Sequence, residues 1–239
     1  MEAGSFTADF LKQNHDLYSA ATNHSFIASI RDGSIDAQNF KLWMEQDYHF
    51  VREFVRFVAS VLVKMPRDSP ECDVDIILGG ITALESEITW FRKEANFWQI
   101  FLERVTLLQP NKDYCAFLKQ LEGSDTPFTV AISAFWLIEL VYCVSFMSCL
   151  EKDAKTPFEL ISTVKRWGSP EFHDYTLKLM KLVDKALENA SKDEQKQAHE
   201  GSSTRFPYLW SLNPVFTSTQ VMSADLQNEG LCAGFGAGA

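Results

Sequence analysis

Between Asp125 and Glu151 the chain carries a single charged side chain, Glu139, and the run from Pro127 to Leu150 is long and apolar enough to cross a bilayer. Such a stretch becomes either a membrane span or the central helix of a bundle that covers it on all sides. The remainder of the first 200 residues favours the second outcome. It consists of helix-length blocks with apolar residues at three- and four-residue spacing, few alternating β-branched segments and no second comparable run. Glu139 is then expected inside protein, where an isolated ionised carboxyl is very costly.

Clusters of Gly, Pro, Asp and Ser punctuate the blocks at 31–34, 66–73, 109–113, 123–127, 152–157 and 168–170. The spacing predicts helices at about 6–30, 36–65, 73–103, 112–122, 128–151, 156–167 and 170–198. The expected fold class is all-α, a single helical bundle domain over residues 1–200. Past Glu200 the periodicity ends. Residues 201–239 hold one basic residue, Arg205, and two acidic ones, Asp225 and Glu229, among many Ser, Thr and Gly. They predict a poorly ordered tail with a local contact through Phe206, Tyr208 and Trp210.

Lys+Arg number 22 against Asp+Glu 32, a net charge of −10. That balance argues against nucleic acid and against an anionic membrane surface, and leaves neutral or cationic small molecules as partners. The five cysteines, Cys72, Cys115, Cys143, Cys149 and Cys232, include no C-x-x-C pair. They read as free thiols of a reducing compartment, with Cys143 and Cys149 inert in the core. The start of the chain lacks a basic and apolar leader, so a cytoplasmic location is expected.

Two acids interrupt aromatic stripes. Trp43, Asp47, Phe50, Phe54 and Phe57 share one helical face, and Phe135, Glu139, Tyr142 and Phe146 share another. Each acid must find a partner or give up its charge. Structural pairing with an arginine is one reading. The other is a pocket for a flat, weakly basic, nitrogen-rich ligand. Its rings are sandwiched by aromatics, one carboxylate accepts amine and ring N–H groups, and the second acid moves protons. Glu45, His49 and Glu53 also share a flank, but with Arg52 and Arg56, which suits a salt-bridged surface better than metal ligation. Paired Glu-x-x-His units, H-E-x-x-H, G-x-S-x-G and a Gly-rich phosphate loop are all missing, so neither metal nor cofactor is expected.

The blocks Trp43-Met-Glu-Gln-Asp47-Tyr-His-Phe50, Ala134-Phe-Trp-Leu-Ile-Glu139-Leu-Val-Tyr142 and Arg166-Trp167-Gly-Ser-Pro-Glu-Phe172 resemble the TenA (thiaminase II-like) family, in particular its cysteine-less plant TENA-E branch. The resemblance covers about residues 6–200. It implies a haem-oxygenase-like bundle without haem, acting on an aminopyrimidine as a homo-oligomer in thiamin salvage. The implied reactions are hydrolysis of 4-amino-5-aminomethyl-2-methylpyrimidine to the hydroxymethyl compound with release of ammonia, and deformylation of its N-formyl precursor. By position, Asp47 would grip the aminopyrimidine edge, Phe50 would pack on the ring and Tyr114 would line the pocket, with Trp43 and Tyr142 completing it. Ala134 stands where thiaminases carry a nucleophilic cysteine, Ile138 and Leu160 stand where they carry pocket tyrosines, and Glu139 matches the general acid/base of the cysteine-less branch. The final helix with a Glu-x-x-Phe-Trp-like segment has no counterpart, and Glu229 does not match its glutamate. A non-catalytic, aminopyrimidine-binding or regulatory form is therefore the alternative reading.

Overall fold

In the computed structural model, which describes residues 4–203, the apolar run forms a helix, α7 (Phe128–Ser148), in which every residue from Thr129 to Cys143 is buried. A helix without a polar face needs neighbours all round, and it has them. Around it pack α2 (His15–Thr22), α3 (Ser25–Asp32), α4 (Ala37–Lys64), α6 (Gln109–Glu122), α8 (Ile161–Gly168), α9 (Pro170–Glu188) and α10 (Lys192–Ser203). The long α5 (Glu71–Trp98) lies against α4 and α9, and α1 (Phe6–Gln13) against α9. Among the described residues there is no strand.

The long central helices fall where the spacing places them, while three expected helices are subdivided. The block at 6–30 is three helices. At Asn14 the backbone leaves helical geometry and the side-chain amide turns back to donate to the Phe10 carbonyl at 2.9 Å. At His24 the imidazole Nδ1 accepts the Phe26 N–H at 3.3 Å and caps α3. The block at 170–198 breaks at Asn189. Ser191 then opens α10 with a capping box: its hydroxyl accepts the Glu194 N–H at 3.2 Å, and the Glu194 carboxylate accepts the Ser191 N–H at 3.0 Å. Breaks of this kind leave the apolar period nearly in phase, so period counting passes over them. The block at 156–167 opens with a 3-10 turn (Phe158–Leu160) before α8. α5 stops at Trp98, where Gln99 takes a left-handed conformation (φ 58°). α10 runs to Ser203, and the rest of the expected tail, including Phe206, Tyr208 and Trp210, lies outside the described residues.

Two contacts position the interior groups. Gly168, at the end of α8, sits so close to α7 that a Cβ there would lie 2.7 Å from the Phe146 carbonyl carbon. That approach brings Trp167 onto Phe146, with ring centroids 5.1 Å apart. At the same end of α7, Arg31 ties α3 to the chain leaving α7, donating to the Ser148 carbonyl at 3.1 Å and to the carboxylates of Glu151 and Asp153 at 2.7 and 2.8 Å.

Candidate active site

The inward face of α4 carries Trp43, Asp47, Phe50 and Phe54, all buried. Asp47 is fully enclosed. Its Oδ1 accepts the Tyr142 hydroxyl at 2.6 Å, while Oδ2 is buried without a hydrogen-bond partner among the described residues. Burial pushes its pKa up to about 7, against the restraining effect of the Tyr142 hydrogen bond. The Tyr142 hydroxyl is held well above its usual range by burial and by the negative charge of Asp47, so it remains a donor. One turn along α4, Phe50 stacks on Tyr114 of α6, with centroids 4.7 Å apart and planes 17° from parallel. Trp43 is enclosed by rings from four other helices, among them Phe26, Phe91, Phe146 and Trp167. Asp47, Tyr142, Phe50, Tyr114 and Trp43 therefore line one interior.

Glu139 faces the same interior from α7. It is 8% exposed, and burial pushes its pKa up to about 8. Close to it in the electrostatic sense are Tyr175 of α9 and Cys143, both pushed up by burial first and by the Glu139 charge second or later. The Tyr175 hydroxyl meets α5 at Gly80, where a side chain would collide with it.

A third acid joins these two. Glu87 of α5 is 9% exposed and lies within electrostatic reach of both Glu139 and Asp47. Its carboxyl accepts a hydrogen bond from Trp167 and is held well above the usual range, by burial first and then by the two acids. The nearby cation is Arg166, half-buried, whose guanidinium packs over the Trp90 ring at 5.1 Å. Sequence reasoning missed Glu87, although a signal existed: with Ile77, Gly80, Leu84, Phe91 and Ala95 it lies on the one buried stripe of α5. Among the described residues the interior holds three carboxyls against one cation, at its edge, an arrangement suited to a flat ligand with basic nitrogens.

The other flank of α4 is a surface network. Glu53 pairs with Arg56 at 3.7 Å and Lys119 at 3.6 Å, and the His49 imidazole is hydrogen-bonded to the Leu102 carbonyl at 3.1 Å. A separate open cleft of about 1000 Å³ lies between α1, α9 and α10, lined by Phe6, Lys181, Asp184 and His199 among others, and contains none of the three acids.

Known proteins share this fold. A structure of a TenA homologue from Pyrococcus furiosus superposes with a TM-score of 0.78, covering 88% of this chain and 98% of that one at 21% identity. The fold is accordingly the haem-oxygenase-like helical fold of TenA proteins. A probable bifunctional TENA-E protein of Glycine max is 48% identical over 194 residues, 80% of this chain and 84% of that protein. An aminopyrimidine aminohydrolase of Halalkalibacterium halodurans is 33% identical over 60 residues, which spans 25% of this chain and 27% of that protein. The family pattern itself matches residues 11–210, a stretch that takes in α2 to α10 and every interior acid described above. The chain belongs to the TENA/THI-4/PQQC family.

Proposed function

We propose that this protein is a hydrolase of thiamin-pyrimidine salvage. Family membership and the relatives named TENA-E and aminopyrimidine aminohydrolase support the class of reaction. The finer reading is conversion of 4-amino-5-aminomethyl-2-methylpyrimidine to the hydroxymethyl pyrimidine and ammonia, with deformylation of the N-formyl precursor as a second activity. The observation that carries it is Asp47, sealed among aromatic rings with Oδ1 held by Tyr142 and Oδ2 unpartnered among the described residues. A buried carboxyl oxygen without a partner is costly, and an amine and ring N–H edge would satisfy it. Phe50 and Tyr114 provide flat surfaces for the ring.

Glu139, protonated up to about pH 8, is the group suited to the bond that breaks. It gives its proton to the amine nitrogen, which departs as ammonia with the electron pair of the C–N bond. Water forms the new C–O bond to the methylene carbon, and its proton returns to the Glu139 carboxylate. No thiol takes part, since Ala134 occupies the cysteine position of the thiaminase-like pattern. The test is ammonia release from the aminomethylpyrimidine. Asp47→Asn is expected to raise KM, and Glu139→Gln to abolish turnover while leaving binding in place. Binding by the wild-type protein without turnover would establish the non-catalytic alternative.

A further inference from the structure

Two neutral amides, Gln46 of α4 and Asn111 of α6, are sealed between their helices, 1% and 0% exposed. Burial of such groups is tolerable only when they are hydrogen-bonded, and these are. The Gln46 Oε1 accepts the Leu108 N–H at 3.0 Å, and its Nε2 donates to the Thr106 carbonyl at 3.1 Å. The Asn111 Nδ2 donates to the Gln46 main-chain carbonyl at 2.8 Å and to the Gln46 Oε1 at 3.2 Å, while its Oδ1 accepts the Cys115 thiol at 3.3 Å. Main-chain partners thus fix which way both amides point. Leu108 is the cap residue of α6, which has no side-chain cap of its own, so Gln46 anchors the start of that helix. By helical register the Gln46 carbonyl also receives the Phe50 N–H. Asn111 therefore binds α4 at the very turn that bears Asp47 and Phe50.

We infer that Gln46 and Asn111 are positioning residues for the aromatic wall of the site: together they fix α6 against α4 so that Tyr114 and Phe50 stand at a set height beside the Asp47 carboxyl. Asp47 adjoins Gln46, Phe50 follows it by four residues and Tyr114 follows Asn111 by three, so each ring lies one turn from an amide. The two rings meet at 4.7 Å in the middle of a row that runs from Phe54 to Phe117, with neighbouring planes within 20° of parallel. Apolar contact is non-directional and holds such a row in no particular register; hydrogen bonds with both ends defined do. A flat ring gripped at its N–H edge by Asp47 must match that register. The pair acts on binding rather than on bond breaking, since Glu139 stands on a different helix, α7. The assignment rests on reading this interior as the aminopyrimidine site.

Asn111→Leu keeps the side-chain shape and deletes its hydrogen bonds. On the full chain, calorimetric binding of 4-amino-5-aminomethyl-2-methylpyrimidine and its hydrolysis are compared for wild type, Asn111→Leu, Tyr114→Ala and the double variant. Asn111→Leu is expected to raise Kd and KM about tenfold with kcat within about threefold. Once Tyr114 is alanine, the same change should move Kd by less than about twofold, because it acts through that ring. Independently of any ligand, the NMR signals of the labelled Tyr114 ring, assigned through Tyr114→Ala, should lose the ring-current shift imposed by Phe50. Unchanged Kd and KM in a variant that is only less stable, a fall in kcat at constant KM, equal effects with and without the Tyr114 ring, or an unmoved ring signal overturns the assignment. If wild type binds without turnover, the hydrolase reading fails and Kd decides on the amides. A wild type that binds no pyrimidine refutes the site reading itself, and the ring signal then shows whether the amides hold the wall. Should Asn111→Leu not fold, Gln46→Met releases Leu108 and Thr106 but keeps the Asn111 bond to the main chain. It should raise Kd about threefold or more and move the same ring signal; no change in either refutes the inference.

Discussion

Glu139→Gln tests the burial of the proposed acid by stability alone. The substitution preserves shape and removes ionisation. In the folded chain burial raises this carboxyl from 4.5 to about 8, whereas in the unfolded chain it ionises near its ordinary value. Between those limits the native protein holds a proton that unfolding releases. The stability this provides is complete below about pH 4.5 and is lost as pH rises through about 8, at 1.36 kcal/mol per pH unit, on the order of 5 kcal/mol in all. The glutamine variant has no such loss. Urea unfolding of both proteins at about pH 5, 7 and 9 should give midpoints that nearly coincide at the lowest pH and then separate, the variant becoming more stable by on the order of 2–5 kcal/mol at the highest. Asp47 and Glu87 add to the alkaline decline in both proteins, so the difference reports on Glu139 and its coupling. A constant offset across pH, or a wild type that is the more stable at alkaline pH, refutes the picture of a buried neutral acid. A variant that gains stability and loses turnover would show an acid kept for chemistry at the expense of the fold.

Tyr142→Phe removes the 2.6 Å hydrogen bond to Asp47. Such bonds to a charged group contribute about 1.5–3 kcal/mol, so the Asp47 carboxyl should titrate about one to two pH units higher. Pyrimidine binding by calorimetric titration should weaken about tenfold or more near neutral pH, and less at alkaline pH, where Asp47 ionises regardless. Gly80→Ala forces a methyl onto the Tyr175 hydroxyl and to 3.0 Å from Phe135; a loss of about 1–3 kcal/mol is expected, read as a lower Tm in scanning calorimetry. Ser191→Ala deletes half of the α10 capping box and should destabilise by about 1 kcal/mol, with faster amide exchange confined to α10. Iodoacetamide should label exposed Cys72 and spare Cys143 and Cys149, whose thiols burial pushes up to about 11. Mass spectrometry locates the label, and ammonia release should be unchanged by it.

Why two of the three interior acids are legible in the sequence and one is not follows from their helices. Asp47 stands in a stripe whose other members are aromatic, and Glu139 is the only charge in its entire helix, so each is conspicuous. Glu87 obeys the same rule, filling the inward position between Leu84 and Phe91. But α5 also carries Glu71, Asp73, Asp75, Glu85 and Glu94, and on such a helix one more acid passes for solvated surface. The helix breaks escape notice for a related reason: Asn14 and Asn189 interrupt the backbone without shifting the apolar phase, and only the Ser191–Glu194 box announces one of them. What period counting cannot supply is which buried faces meet. That depends on helix crossings, and here on the absence of side chains at Gly80 and Gly168, which admit Tyr175 and bring Trp167 against Phe146. A stripe therefore tells that an acid is buried, while its partner, and with it the number of protons the site holds at neutral pH, is set by contacts between helices far apart in the chain.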